Sequence, residues 1–548
     1  AAIGAGALVS GRDAPLYRKY LPLALLAVLA LAAAVVLGLP AFAAISGRYH
    51  LLAVLAAASF LIAAAVRRRL SLPAVQLGLF ALALFQIFHY SMNQPFNWSL
   101  SDPRTYQSFA TAVHDGATLK QLRSDPATDF RFAAFAESPW SGNGSSVWRI
   151  PAVFGWNPIT LQRYERYVRE FIHTSEYTLP YGGPDHDLSS PMLDLLGVKY
   201  VVVSGPEWAK ELGLPDSGKF ERVAGGSDWW QLYRNPDYIS RAWFYPAGYV
   251  VRGEEVAMGL MKSRWFQARH TLVLEEDAVG TVPPRRLERL PSLRLRPEDV
   301  TAASTGGVAE DPDCSERTLL FGEWVGAGNW IRFDFDLSLA PGNYVLLIRY
   351  NAAVPEPAPV LAVSARNGSQ EQRLAPAVLG RTYGWRCMET RTAELGVLRL
   401  VSGPTRLVLT SAGAARVNLY AAWLVRLPDA PPPLAGPFSF ADFQYSANRI
   451  SLTANLSQDG FVLLNEIEYP GWEARLDGQP APILRANGIF RALYVPAGSH
   501  RIEMRFRPRR FLWGAAISMA TLAGYAGLVW LVRRKRTQTR GKIEVPSG

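Results

Sequence analysis

Hydrophobic positions along this chain follow two different patterns. From Leu21 to about Phe42, about Leu51 to Val66 and Leu72 to about Tyr90 they run nearly unbroken, and they do so again from Phe511 to Val532. Runs near the roughly 20 residues that a helix needs to cross a bilayer core predict transmembrane helices. Between 91 and 510 the apolar residues are spaced instead, at helical or strand periods. The expected fold class is a multidomain membrane protein. Its α-helical transmembrane spans, three N-terminal and one C-terminal, bracket an extracytoplasmic α/β domain and two β domains, a sandwich and a meander.

The periods divide the central portion. In 91–300, helices are expected at Tyr106 to about Arg123 and at Thr160–His173. The second places Leu161, Tyr164, Val168, Phe171 and Ile172 on one face. A strand is expected at Phe130–Phe135, and LDLLGVKYVVV (193–203) reads as a helix stopped at Gly197 followed by a buried strand. A Pro-, Arg- and Gly-rich connector covers 279–312.

Beyond it the period is two. Ile331, Phe333, Phe335 and Leu337 alternate with Arg332, Asp334 and Asp336, and further strands are expected at 395–401, 405–411 and 416–427, giving a β-sandwich over 305–428. The stiff PDAPPPLAG segment (428–436) leads to a membrane-proximal β domain at 437–510. There Asp477-Gly478 and Asn487-Gly488 offer the positive-φ positions of tight hairpins. Residues 1–90 complete the frame on one side. The span at 511–533 and a cytoplasmic basic tail at 534–548 complete it on the other.

Charge orients the frame. Arg67, Arg68 and Arg69 and the cluster Arg533, Arg534, Lys535 and Arg536 place that loop and the tail in the cytoplasm and the central portion outside. Arg505, Arg507, Arg509 and Arg510 flank the last span on its outer side and point the other way, but long domains translocate regardless of such charge. The expected location is the bacterial cytoplasmic membrane, multi-pass, with a large extracytoplasmic domain and membrane lipid as a partner. The net charge of +11 gathers at membrane edges, and no basic stripe interleaved with aromatics suggests nucleic acid. Four spans without internal charges leave no ion pathway for a transporter. The chain begins without Met on an apolar AAIGAGALV, so it is expected to be the C-terminal piece of a longer polytopic protein.

LDLLGVKYVVV (193–203), YPGW (469–472), LDG (476–478) and RANGIFRALYVPAGSHRIEMRF (485–506), with GWNPITLQRY (155–164) upstream and a C-terminal span, together resemble the C-terminal half of bacterial YfhO-like membrane proteins. The resemblance covers roughly 50–280 and 437–535. It implies a GT-C type glycosyltransferase that takes a sugar from a polyprenyl-phosphate donor and passes it to a cell-envelope glycan or polymer acceptor on the outer face of the membrane. The alternative is a non-catalytic, membrane-anchored glycan-binding or scaffold protein. Residues 307–427 fall outside it, and GNWIRFDFDLSLAPGNYVLLIRY with RVNLYAAWLVRL is similar to carbohydrate-binding β-sandwich modules.

GT-C enzymes use a carboxylate in their first external loop as base or metal partner. Here the short external loop at 43–50 has neither Asp nor Glu, so the catalytic residues are unknown. No metal site is assigned in this chain, and a divalent metal belongs to the full-length enzyme if to anything. Substrate-binding candidates are Arg149, Trp156, Asn157, Arg163 and Tyr164, because Arg grips phosphate bidentately and aromatic rings stack on sugars. Core packing and a solvated helix face compete with that reading. Carbohydrate-binding candidates are Trp324, Trp330, Trp385 and Asn418, with core packing the competing role of each Trp. Asp185-His186-Asp187 alternates direction along an extended loop and cannot easily ligate one ion.

The two cysteines, Cys314 and Cys387, would bridge in an oxidising compartment and stay free in the cytosol. With the central portion outside, mass spectrometry without reduction should find one disulfide-linked peptide joining them. Two free thiols would end the disulfide assignment.

Overall fold

A computed structural model of the protein describes residues 116–540, apart from 126–128, 136–149, 155–160, 173–186, 224–229, 277–285, 312–313, 315–317, 325, 353–357, 381 and 383–389, together with isolated helical positions between 56 and 82. The chain separates into two compact units, Ala1–Gly116 and Ala117–Gly548. The second holds the elements described below.

Its first part alternates helix and strand: α1 (Gly116–Ser124), β1 (Arg131–Phe135), α2 (Gln162–Phe171), α3 (Pro191–Leu195), β2 (Val198–Ser204), α4 (Gly205–Glu211), β3 (Glu221–Arg222) and β4 (Trp230–Arg234). These strands form a sheet in the order β1-β2-β4-β3, with β1 and β2 parallel. The local causes are readable. Ser190 caps α3, its hydroxyl accepting from the Met192 N–H, and Pro191 sits in the first turn, where a missing N–H costs nothing. Gly197, at φ +74°, then turns the chain into β2. The stripe expected on α2 is buried at Tyr164, Val168 and Phe171, with Tyr167 beside them.

Next come β5 (Ala242–Tyr245), β6 (Gly248–Val251), α5 (Glu254–Met261), β7 (Val273–Glu275) and β8 (Leu287–Arg289). The sandwich strands follow: β9 (Ser292–Leu295), β10 (Ala302–Ala303), β11 (Gly307–Glu310), β12 (Leu319–Trp324), β13 (Trp330–Leu337), β14 (Gly342–Asn351), β15 (Val360–Asn367), β16 (Gln370–Val378), β17 (Arg391–Leu400), β18 (Gly403–Ser411) and β19 (Val417–Arg426). One sandwich sheet runs β10-β13-β18-β15-β16, and the other β11-β12-β19-β14-β17 with β9 also paired to β19. Ile331, Phe333 and Leu337 of β13 face Tyr344, Leu346 and Ile348 of β14 across the sandwich core. The opposite face of the second sheet is covered too. Val345 and Leu347 of β14, with Ala421, Trp423 and Val425 of β19, join the core of the α/β part. Strand β14 is therefore buried on both faces and fuses the sandwich to its host.

The last strands are β20 (Phe438–Ser446), β21 (Arg449–Leu456), β22 (Gly460–Ile467), β23 (Trp472–Leu476), β24 (Gln479–Ala481), β25 (Leu484–Ala486), β26 (Phe490–Val495) and β27 (Gly498–Phe506), followed by α6 (Arg509–Arg540). Asp477-Gly478 and Asn487-Gly488 adopt positive φ at their hairpins, as expected. These strands do not form a separate meander. A seven-stranded sheet has the order β5-β22-β26-β25-β7-β6-β8, interleaving strands from before and after the sandwich. The remaining sheet, β20-β21-β27-β23-β24, packs on it through Phe244, Leu452, Val462, Leu464, Leu493 and Ile502.

The expected fold class needs correction. The described residues are mainly β-sheet with few helices, because alternating β-branched and aromatic residues punctuated by Gly and Asn turns dominate 287–506. Helix α6 exposes Phe511, Leu512, Trp513, Ile517, Met519, Leu522 and Trp530. Yet Gly514, Thr521, Gly524 and Gly527 interrupt its apolar run, and the helix continues through Arg533–Arg536. Among the described residues no helix is long and apolar enough to cross a membrane. The segments expected as spans at 21–42, 51–66 and 72–90 lie outside the described residues except for the isolated positions noted above.

One glycine secures the joint between α5 and the sandwich. A Cβ at Gly259 would lie 2.9 Å from Leu347 Cδ1 and 3.1 Å from Thr392 Cγ2. Gly259→Val should therefore destabilise the protein by about 1–3 kcal/mol, the usual cost of overpacking a filled interface. Denaturant unfolding with an unchanged m-value would register it.

Candidate functional site: a cleft at the sandwich junction

Where the sandwich meets the α/β part, packing leaves a cleft of about 890 Å³. One wall is the chain leaving α5: Lys262, Ser263, Arg264, Trp265 and Phe266. The opposite wall comes from the sandwich, with 374–380 at the end of β16 and Arg391–Val397 of β17. Glu170 and Phe171 at the end of α2, and Asp187 and Ser190 ahead of α3, close it below.

The floor is ionic. Glu170 is buried, and its carboxylate accepts from Lys262 Nζ at 3.0 Å and from the Thr392 backbone N–H at 2.5 Å. Burial pushes the Glu170 carboxyl up, but the Lys262 ammonium and the Thr392 N–H outweigh it and hold the group below its ordinary value. Three elements distant in sequence thus meet on one carboxylate.

The rim is mixed. The Arg264 N–H donates to Glu394 Oε2 at 2.7 Å, and Asp187 Oδ1 accepts from the Ser189 hydroxyl at 2.5 Å. Trp265 is half-buried, packed edge-to-face on Tyr249 with ring centroids 4.9 Å apart. An aromatic ring between charged and hydroxyl groups suits a ligand with apolar ring faces and polar edges. The volume falls within the range of about 300–1,000 Å³ usual for small-ligand sites.

Beside the cleft, a chain of ion pairs ties the parts together. Arg166 meets Glu254 at 3.2 Å, Arg163 meets Glu254 at 3.1 Å, and Arg349 of β14 pairs with Glu255 of α5.

Of the residues expected to bind substrate, the two within the described residues, Arg163 and Tyr164, do not line the cleft. Arg163 holds Glu275 bidentately, at 2.6 and 3.0 Å, and also donates to the Gly488 carbonyl at 3.2 Å. Tyr164 is buried and its hydroxyl donates to the Val153 carbonyl. Arg149, Trp156 and Asn157 lie outside the described residues. Trp324 is sealed in the sandwich core, its Nε1–H donating to the Asn329 carbonyl at 3.1 Å, so it offers no face to a sugar. Trp330 opens β13 half-buried, and its backbone N–H donates to Ser304 Oγ at 2.7 Å. Asn418 on β19 is half-buried and registers against Asn351 of β14. Trp385 lies outside the described residues. Cys314 is disulfide-bonded, and Cys387, the chain's other cysteine, also lies outside the described residues. Among the described residues, no group of three or more His, Cys, Asp or Glu side chains is placed to hold a metal ion.

Of the cleft residues, Asp187 stands in the Asp185-His186-Asp187 run weighed above as an ion ligand, and two more leave a signal in the sequence. Glu170 falls inside the apolar stripe of α2, and Lys262 directly follows the apolar EEVAMGLM helix. A charge on a buried face needs a partner.

Residues 439–518, spanning the last β sheet strands and the start of α6, match the family model described as bacterial membrane protein YfhO. The C-terminal β region is YfhO-like. An uncharacterized YfhO protein of Bacillus subtilis (strain 168) is 28% identical over 92 residues, which is 17% of this chain. The matched stretch spans only 10% of that relative's length. The family is one of bacterial membrane proteins, which supports a membrane location for the chain that carries the YfhO-like region. Among solved structures, the C-terminal family 6 carbohydrate-binding module of LamC from Zobellia galactanivorans is 19% identical, covering 25% of this chain and all of its own, with a TM-score of 0.20. A family 35 module from Clostridium thermocellum is 21% identical over 25% of this chain and 98% of its own, also at 0.20. Scores this low do not establish a common fold.

The Glu170 junction gives a pH prediction. Its folded-state value lies below the ordinary 4.5, so its contribution is complete above that pH and is lost as pH falls through the lower folded value. Glu170→Gln should cost about 1.5–3 kcal/mol at neutral pH, since it removes the charged partner of the half-buried Lys262. The variant should also lose less stability than the parent on acidification below pH 4.5, as measured by denaturant unfolding across that range.

Proposed function

We propose that this chain is the acceptor-holding portion of a membrane-associated, envelope-directed glycosyltransferase, and that a glycan sits in the cleft between sandwich and α/β part. In this reading the donor is a polyprenyl-phosphate sugar, the globular body faces outside the cell, and the described residues serve the acceptor. The observation that carries the proposal is the cleft itself, whose lining includes the half-buried Trp265 together with Asp187, Arg264 and Glu394. Aromatic faces supply stacking area for a sugar ring, and the charged rim supplies hydrogen bonds to its hydroxyls. The YfhO-like match supports the membrane association in this reading, and the carbohydrate-binding resemblance of the 307–427 sequence fits a glycan as ligand.

A second reading, a glycan-binding protein without transfer activity, is favoured by one detail. The cleft's buried carboxylate, Glu170, is held by Lys262 and Thr392 and is not free to move protons.

Both readings share a binding step. A glycan array probed with the full chain should identify a bound envelope glycan, and Trp265→Ala should weaken it about tenfold, the loss of one aromatic contact. Unchanged binding by that variant would remove the cleft from consideration. Sugar transfer by the full-length protein in membranes, tested across polyprenyl-phosphate donors, separates the two readings.

A further inference from the structure

The sheet β20-β21-β27-β23-β24 buries one face against the seven-stranded sheet, and its other face is crowded with arginine. Arg449 on β21, and Arg501 and Arg505 on β27, all approach Glu503, each at 3.5 Å. Arg507 and Arg509 share Glu473 of β23, at 4.0 and 3.0 Å. These five guanidinium groups are 43 to 81% exposed and have two carboxylates between them. Arg449 and Arg505 stand directly opposite each other in the register and share Glu503, so positive charge remains in excess on this face.

The arginine face leads straight into apolar surface. β27 ends at Phe506 and α6 begins at Arg509, with the Arg507 N–H donating to the Gly471 carbonyl at 2.6 Å and the Leu512 N–H to the Pro508 carbonyl at 3.1 Å. That short, bonded connection fixes the first turn of α6 beside the sheet. There Phe511, Leu512 and Trp513 are 71, 57 and 71% exposed. Cationic groups beside exposed aromatic and aliphatic side chains match the two layers of a bilayer surface, phosphate headgroups and the acyl boundary.

We propose that this face docks on an anionic bilayer surface, with Arg449, Arg501 and Arg505 gripping lipid phosphates while Phe511, Leu512 and Trp513 enter the headgroup–acyl boundary. The docking orients the body so that the sheet packed behind this face stands one layer above the lipid. The contact depends on charge, so salt screens it. It stands independently of the glycan reading, because none of these residues lines the cleft.

The test uses the full chain in neutral-detergent micelles, titrated with phosphatidylglycerol or phosphatidylcholine, with retained lipid read by native mass spectrometry. The parent should retain phosphatidylglycerol roughly tenfold better, the order expected from one or two arginines acting at an anionic surface. Arg449→Gln/Arg501→Gln/Arg505→Gln should lose that preference and keep its phosphatidylcholine adducts. An Arg366→Gln/Arg373→Gln variant, altered at exposed arginines of the sandwich, should keep the preference. If the triple variant does not fold, single Arg501→Gln and Arg505→Gln variants should each lose part of it. Equal retention of the two lipids by the parent, or an undiminished preference in the arginine variants, overturns the proposal. So does displacement of the lipid by an equal concentration of soluble glycerol phosphate, which would identify a free phosphate as the ligand instead.

Discussion

The carboxylate of Glu170 is the constraint on which the arrangement of the second unit rests. It lies at the end of α2, takes one bond from the lysine that ends α5, and takes another from the start of strand β17 in the sandwich. A buried charge satisfied by three distant segments allows few alternatives, since moving any one of them strands an ion away from water. Arg349–Glu255 and the close approach of Gly259 to Leu347 reinforce the same joint. An inserted sandwich joined only by its connectors would swing as a separate domain. This one is held in a fixed pose by ionic and apolar contacts together, and the cleft exists because the pose is fixed.

The seven-stranded sheet has a comparable consequence for the ends of the chain. Strands β5 to β8 precede the sandwich in sequence, but β5 and β7 pair with β22 and β25, which follow it. Exposed β edges invite pairing with other chains, so the early strands depend on the return of the chain to complete them. The half-buried stitch Arg131–Glu466, at 2.7 Å, and the Arg241–Glu466 contact at 3.0 Å join the first strand of the α/β part to the end of β22. The sandwich is therefore an excursion from a sheet that closes around it.

Much of this was legible locally and little of it globally. Alternation marked β13, β21 and β27, the Gly197 stop marked the α3-to-β2 turn, and Asp477-Gly478 and Asn487-Gly488 marked their hairpins, because each of these rests on a few adjacent residues. Residues 437–510 read as a self-contained meander since β22 and β26 alternate like any half-buried strands. Nothing within them reveals that β5 lies on the far side of β22. The apolar density of α6 likewise suggests a span, but glycines interrupt it and the helix runs on into a basic stretch. Single tryptophans were the least legible: Trp324 and Trp265 look alike as residues in a sequence, yet the first is sealed in a core and the second borders a cleft.

That contrast bears on where a ligand can sit. A sandwich that works as an independent binding module needs a free sheet face or free loops, and here the β14–β19 sheet spends its outer face on α5, through Leu347 and Trp423. Burial of both faces removes that sheet as a platform and shifts the accessible surface to the seam, where β17 ends its contact with α5 and the chain turns outward at Arg264 and Trp265. A site built at a seam draws its groups from both partners. It would register any loosening of the Glu170 junction, which an isolated module would not. The physical argument for the cleft is thus the same as the argument for the fold: one buried carboxylate and its partners position two walls that neither domain could supply alone.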